Sequence, residues 1–369
     1  MRLPKALRIL FCAAALALLL AEPAAAIDTR RSDVKEFIAH MAATYSFKKR
    51  ALRKLLKGAA VQPAILDAMA KPAEKAKPWY EYRAIFLTEK RIQQGSEFWL
   101  AHRQALDQAS ARSGVAPEYL AAILGVETFY GRTTGNYRVL DALVTLSFDY
   151  PAREKFFREE LEQFLLLTRD AHLDPATVKG SYAGAMGAPQ FMPSNYRRYA
   201  VDADADGHVD LWSNWTDVCA SVGNYLKEHG WNSGEPVLGE ATVAPEKAAA
   251  LDGRKLALSE TVGSLTEKGV SFDTSLSADA PALLIAADEE DGVHWRVGYN
   301  NFYVITRYNH SALYAMAVHE LASAIKQRVL LNDAGVAATP AAPATPAPAA
   351  APVVPAAPIV IPDTPATAK

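Results

Sequence analysis

The sequence predicts a mainly α protein (α+β), a helical body that carries a small β subdomain. Three observations predict it. Helical periodicity dominates from residue 33 to about 230. Short, partly β-branched pieces broken by Gly, Asp and Pro fill residues 240–297. One more helical run then closes the fold ahead of a Pro/Ala-rich tail. With 369 residues, half of them hydrophobic, the chain has enough apolar material for a sizeable core. Its formal charge of −2 gives no reason to expect a nucleic-acid partner.

The first 26 residues read as a secretory signal peptide. Arg2, Lys5 and Arg8 make a basic start, residues 9–20 are apolar, and Ala24, Ala25 and Ala26 fit a cleavage box. The apolar run is too short for a comfortable membrane span, although an uncleaved anchor is the alternative. Removing this segment makes the chain more acidic, because it takes away three basic residues against Glu22. Cys12 lies within the apolar stretch, too early to be a lipidated first residue. The expectation is therefore a soluble periplasmic protein without a lipid anchor. Only Cys219 would remain after cleavage, so no intrachain disulfide is expected.

Helices follow in order. "DVKEFIAHMAATYSF" places Val34, Phe37, Ile38 and Met41 on one face, and "EFWLAHRQALDQASARSGV" continues alike to a stop at Gly114. "REKFFREELEQFLLLTRDA" turns Phe157, Leu161, Phe164 and Leu165 toward a core. "LALSETVGSL", "GVSFDTSL", "APALLIAAD", "VHWRVGY" and "FYVITRY" read as strands of a small sheet. "SALYAMAVHELASAIKQRVL" is the closing helix. Residues 27–331 thus form the folded region. Residues 332–369 read as a disordered tail, with a tether or partner-binding segment as the alternative.

One helix carries an anomaly. In "YLAAILGVETFYG", Glu127 stands on the apolar stripe with Leu120, Ile123 and Leu124, in a helix expected from Pro117 to Gly131. Burial and the nearby helix C-terminus both disfavour its charge, so its pKa should rise. Such a group suits a general acid for glycosidic cleavage. On chemistry alone it equally suits a structural glutamate paired with Arg132, Arg138 or Arg153. A second stretch, "KGSYAGAMGAPQFMPSNYRRYA", joins close-packing glycines to Ser181, Gln190 and Asn195, and to several tyrosines that offer flat surfaces to a sugar.

A third stretch, residues 202–217, reads "DADADGHVDLWSNWTD". Asp202, Asp204, Asp206 and Gly207 reproduce the opening of an EF-hand loop, and His208 would offer its backbone carbonyl. Ser213 stands where an ordinary loop has its bidentate glutamate. A structural Ca²⁺ is expected, and no organic cofactor.

Together, "GVETFYGRTTGNYRVLDALVTLSFDYPARE", "GSYAGAMGAPQFMPSNY" and "VITRYNHSALYAMAV" resemble the membrane-bound lytic murein transglycosylase B family, from about residue 33 to 324. The resemblance implies a lysozyme-like fold that cleaves the N-acetylmuramic acid to N-acetylglucosamine β-1,4 link of peptidoglycan. No water is added, and the product has a 1,6-anhydro ring. It implies Glu127 as single acid/base, Ser181 as the residue positioning the substrate's N-acetyl group, and Gln190, Tyr308, Asn309, Tyr314 and Tyr82 as sugar-subsite residues. Tyr225 and Arg153 are weaker matches, Arg153 toward the peptide stem. It moves the closing calcium ligand downstream to Asp217. Glycan strands are the implied partner, with cell-wall synthesis or division proteins beside them. Two other readings stay open: a hydrolytic muramidase, with Asp141 or Asp149 activating water, and a calcium-stabilised wall-binding protein that does not cut.

Overall fold

The computed structural model describes residues 25–70 and 77–335. The expected signal peptide up to residue 24 and the tail from residue 336 lie outside the described residues. The first helices are α1 (Ser32–Tyr45), α2 (Lys49–Lys57), α3 (Pro63–Ala70) and α4 (Trp79–Phe86). Next come α5 (Glu89–Ala101), α6 (Arg103–Ser113) and α7 (Pro117–Thr128). A two-residue strand β1 (Tyr137–Arg138) leads into α8 (Val139–Asp149) and α9 (Glu154–Asp170). Strand β2 (Lys179–Gly180) pairs with β1 and precedes α10 (Pro193–Tyr199) and α11 (Trp215–Glu228).

The faces form as the periodicity requires. Val34, Phe37, Ile38 and Met41 of α1 are buried, as are Phe157, Leu161, Phe164 and Leu165 of α9. The run expected as one helix through residue 113 is two. It breaks at His102, whose backbone leaves the helical region while its ring packs on Phe98 and Trp215. Gly114 then ends α6 in the left-handed region at φ 77°, a conformation open to glycine without strain. Cys219 in α11 is fully buried, and burial pushes its thiol up to about 12.

The small sheet is antiparallel throughout. Its strands are β3 (Leu238–Val243), β4 (Glu260–Thr261), β5 (Val270–Phe272), β6 (Pro281–Glu289) and β7 (Gly292–Tyr299), in the order β4-β6-β7-β3-β5. Short helices α12 (Pro245–Ala248) and α13 (Val262–Glu267) interrupt it. β6 is apolar from residue 282 to 287, where both of its faces are covered, and turns polar at Asp288 and Glu289. Leu283, Ile285 and Ala287 join the main core, whereas Ala282 and Leu284 join a second core with Val262, Leu265 and Val297.

Two expected strands are helices. "FYVITRY" lies in α14 (Asn300–Tyr308), where Phe302, Ile305 and Tyr308 recur every third residue and are all buried. Its β-branched content suggested a strand; packing on β7 and the closing helix decides otherwise. "LALSETVGSL" yields only β4, because Thr261 and Ser264 form a reciprocal capping box that starts α13. The chain closes with α15 (Ala312–Asp333), capped by the Ser311 hydroxyl. It runs two residues past the boundary expected for the tail.

Candidate active site

α7 starts on Pro117, as its sequence requires, and is buried nearly all round, with Ala121, Ala122 and Val126 as inaccessible as the predicted stripe. Glu127 is its penultimate residue. The helix stops before Gly131, because Phe129 and Tyr130 both adopt left-handed backbones (φ 53° and 60°) ahead of Gly131 at 80°. Surrounding contacts hold this unfavourable run in place. The Tyr130 ring folds back over Gly125, whose missing Cβ would lie 2.7 Å from it, and its hydroxyl donates to the Arg91 carbonyl at 2.8 Å. The buried Thr128 hydroxyl donates to the Ala188 carbonyl at 2.8 Å and accepts the Gly131 N–H at 3.0 Å. Sequence reading did not single out Thr128, a hydroxyl next to the acid in "GVETFYG".

Glu127 is half-buried as a residue, with its carboxyl end set deep enough that desolvation raises its pKa to about 7. The Tyr314 hydroxyl donates to Oε1 at 2.6 Å and lowers the pKa somewhat. No cation contributes. Arg138 pairs with Asp141 instead, Arg132 lies over Phe129, and Arg153 lies 4.2 Å over Phe156.

Tyr314 belongs to the first turn of α15. Tyr308, the last residue of α14, stacks on it at 6.5 Å and donates to the Pro189 carbonyl at 2.7 Å. Tyr225 of α11 meets Tyr308 edge-on at 4.8 Å and donates to the Arg307 carbonyl at 2.6 Å. Burial, helped by the neighbouring carboxylate, pushes all three phenols upward, so they stay neutral. Tyr82 of α4 packs between Trp79 and Phe86 and adds to the field on Tyr314. Three of the expected tyrosines thus gather at the Glu127 carboxyl, Tyr314 in direct contact and Tyr308 and Tyr225 behind it, with Tyr82 on the far side of Tyr314.

The glycine-rich segment brings in the rest. Met186 makes β-bridges with Gly180 and with Phe191, and Phe191 packs on Tyr225 and Tyr308. Within this fold the buried Ser181 Oγ accepts the Ala183 and Ala185 N–H groups at 3.3 and 3.1 Å, leaving its own O–H to donate. Gln190, in a left-handed conformation, spends its Nε2 donors on the Thr134 and Gly187 carbonyls. Its Oε1 is the acceptor left for a ligand. Asn309 is half-buried beside Tyr308, and its side-chain amide has no hydrogen-bond partner among the described residues. Arg153 stands apart, on the turn before α9, near Phe157 and Glu160. Asp141 and Asp149, which a water-activating route would need, are engaged elsewhere. Asp141 bonds Arg138 and the Ala60 N–H, and Asp149 bonds Arg31.

The acidic loop gathers Asp202, Asp204 and Asp217, with one carboxylate oxygen from each within 4.8 Å of the others. Asp206 stands outside this trio and accepts the His208 N–H. Asp217 is fully buried at the start of α11. Desolvation first, then the charges of Asp204 and Asp202, raise its pKa. Hard oxygen donors that repel one another fit a divalent cation of the calcium type. No helix among the described residues is long and apolar enough to cross a membrane.

Comparison with known proteins agrees with this geometry. Residues 29–323 match the transglycosylase SLT domain family. The membrane-bound lytic murein transglycosylase B of Escherichia coli (strain K12) is 41% identical over 303 residues, which cover 79% of this chain and 82% of that protein. Soluble lytic transglycosylase SltB1 of Pseudomonas aeruginosa superposes with a TM-score of 0.76 at 46% identity, covering 79% of this chain and 98% of that one. Escherichia coli Slt35, solved in complex with calcium, gives 0.75 at 38% identity, covering 84% and 97%. A lysozyme-like helical body, a carboxyl of raised proton affinity and this likeness over most of the chain lead to one conclusion. The chain belongs to the lytic murein transglycosylases of the SLT domain family, which cleave peptidoglycan to leave anhydromuramic ends.

Proposed function

We propose that Glu127 alone supplies the acid and the base of this cleavage. The observation that carries the reading is a carboxyl of pKa about 7, bonded to Tyr314 and surrounded by neutral phenols. Such a group is largely protonated in mildly acidic to neutral conditions and gives its proton to the departing glycosidic oxygen. The same carboxylate, now basic enough to act in reverse, takes the proton of the C6 hydroxyl as that oxygen closes on the anomeric carbon. The proton count balances, and Glu127 ends as it began. Tyr314 holds the carboxylate in place between the two transfers. The Ser181 hydroxyl donates to the substrate's N-acetyl oxygen, which supports the cationic centre. Tyr82, Tyr308, Asn309, Tyr225 and Gln190 line the sugar subsites.

Asp202, Asp204 and Asp217, with the His208 carbonyl and Asp206 at the rim, would hold Ca²⁺. It would supply charge neutralisation and a fixed loop ahead of α11. Slt35 in complex with calcium supports that choice of metal. The substrate is peptide-bearing glycan in the periplasm. SltB3 of Pseudomonas aeruginosa, 28% identical with a TM-score of 0.69, is solved in complex with NAG-anhNAM-pentapeptide.

The test is digestion of purified peptidoglycan followed by mass spectrometry of the soluble products. The protein should release fragments one water lighter than hydrolysis products. Glu127→Gln keeps the shape and cannot deliver a proton, so its rate should fall by about 10³-fold or more while binding persists. Substantial cutting by that variant removes Glu127 from the mechanism.

A further inference from the structure

Two residues past Glu127, three cations gather on one ring without a counter-charge. The Arg91 guanidinium lies 5.0 Å from the Phe129 centroid, Lys90 Nζ 5.9 Å and the Arg132 guanidinium 6.0 Å. Arg91 also lies 4.9 Å over Phe86, so two aromatic faces enclose it. It is 6% exposed; Nη1 donates to the Ile85 carbonyl, and Nε has no partner. Cation–π contact offsets part of the desolvation cost of such a group, but no carboxylate among the described residues pairs with any of the three. The adjacent acid, Glu89, is committed to Arg328. Lys90 and Arg132 are exposed, and Phe129 is half-exposed beneath them.

The cluster is tied to the cleft from two sides. Arg132 sits on the stretch after α7 whose Thr134 carbonyl is held by Gln190. Arg91 is tied to the turn that follows Glu127, because its carbonyl accepts the Tyr130 hydroxyl at 2.8 Å. An unneutralised positive rim therefore flanks the turn that follows the acid. A glycan strand lying in the cleft brings anions of one kind with it, the carboxylates of its peptide stems.

We propose that Lys90, Arg91 and Arg132, gathered on Phe129, receive the stem carboxylates of the strand being cut. Lys90 and Arg132 make the contact, and Arg91 beneath them adds field without being reached. This rests on the reading of Glu127 as the acid, since it makes the rim part of a working cleft.

The experiment compares glycan strands carrying intact stems with the same strands stripped of stems by an amidase. In the double variant Lys90→Glu, Arg132→Glu, the ratio of KM on stem-bearing to stem-free strands should rise about tenfold, the scale of two exposed charge contacts. The effect should shrink as salt is added, and kcat on stem-bearing strands should hold. The neutral pair Lys90→Gln, Arg132→Gln should give a smaller change in the same direction. Equal KM changes on both substrates, or none, overturn the proposal. A calorimetric arm titrates free stem peptide into Glu127→Gln, alone and with the reversed charges, with inorganic phosphate as competitor. Loss of peptide affinity on reversal supports the receptor. Phosphate competing as well as the peptide makes it an unspecific anion patch and overturns it. If wild-type protein cuts neither substrate, the catalytic reading fails, and the calorimetric arm still decides this one.

Discussion

At the scale of the residue, Glu127 owes its chemistry to where its carboxyl end is set. Desolvation raises the pKa from 4.5 to about 7, against the small opposing effect of Tyr314. A carboxyl whose folded value lies above its unfolded one takes up a proton on folding. The stability this brings is complete below about pH 4.5 and is lost as pH rises through about 7. Glu127→Gln should therefore be more stable than the parent at pH 8, by a few kcal/mol, with the gap closing toward pH 4. Thermal melts across that range check the sign. Cutting should fall as pH rises through about 7, because the acid loses its proton. Tyr314→Phe removes the hydrogen bond that favours the charged form, so the basic limb should move up by about one unit while the maximal rate drops. Glu127 could be found in the sequence because it is the one ionisable group in an apolar run. Tyr314 entered only through the family resemblance, as a subsite residue; that it bonds Glu127 across 187 positions is marked by nothing local. The cation cluster was hidden for the same reason: Lys90 and Arg91 meet Phe129 only after α5 and α7 have packed.

At the scale of the element, the turn that follows the acid decides where it points. Thr128 and Gln190 both bind the loops around residue 188 to the loop after α7. Thr128→Val keeps the shape and leaves the Gly131 N–H and Ala188 carbonyl without it, which should cost about 1–3 kcal/mol in a chemical denaturation series. Gly135 has φ 94°, and an added Cβ would lie 2.1 Å from the Gly180 carbonyl oxygen. Its replacement by Ala should lower both stability and rate, because β1 and β2 would be forced apart beside Ser181. Helices with one apolar face were readable from spacing, as α1 and α9 demonstrate. α14 was misread because β-branched residues on a packed helix look like a strand until their spacing of three is set against a partner surface. The break at His102 is partly tertiary too, since one of its two ring contacts, Trp215, comes from α11.

At the scale of the whole molecule, a buried cation reinforces the apolar joint that β6 makes between the small sheet and the helical body. Arg296 of β7 is 6% exposed and pairs with Glu320 of α15 at 2.9 Å and with Glu240 at 3.2 Å, while its guanidinium covers Trp79 of α4. Glu320 also holds Arg83. Glu320→Gln should lower the melting temperature, a loss of about 1–3 kcal/mol, because it takes the nearest carboxylate from a buried cation and leaves it only Glu240 and Glu289. The calcium site proposed for the acidic loop predicts the opposite effect: Ca²⁺ at a hundredfold excess over its Kd should add about 2.7 kcal/mol, and Asp204→Asn should remove most of that gain. Calorimetry with chelator and with calcium reads both effects. The layout of body and sheet was legible from the change in texture near residue 240, whereas nothing in "VHWRVGY" singled out Arg296. Cys219 has a practical consequence. Buried and with its thiol pushed up to about 12, it is close to invisible to alkylating and spin-label reagents. A chain produced from residue 27 onward therefore offers almost no background labelling. A single cysteine introduced at exposed Asn136 would carry a fluorophore or spin probe onto the loop after α7 while leaving Arg132 in place, and strand capture could be followed in real time on wall fragments, with no chromatography.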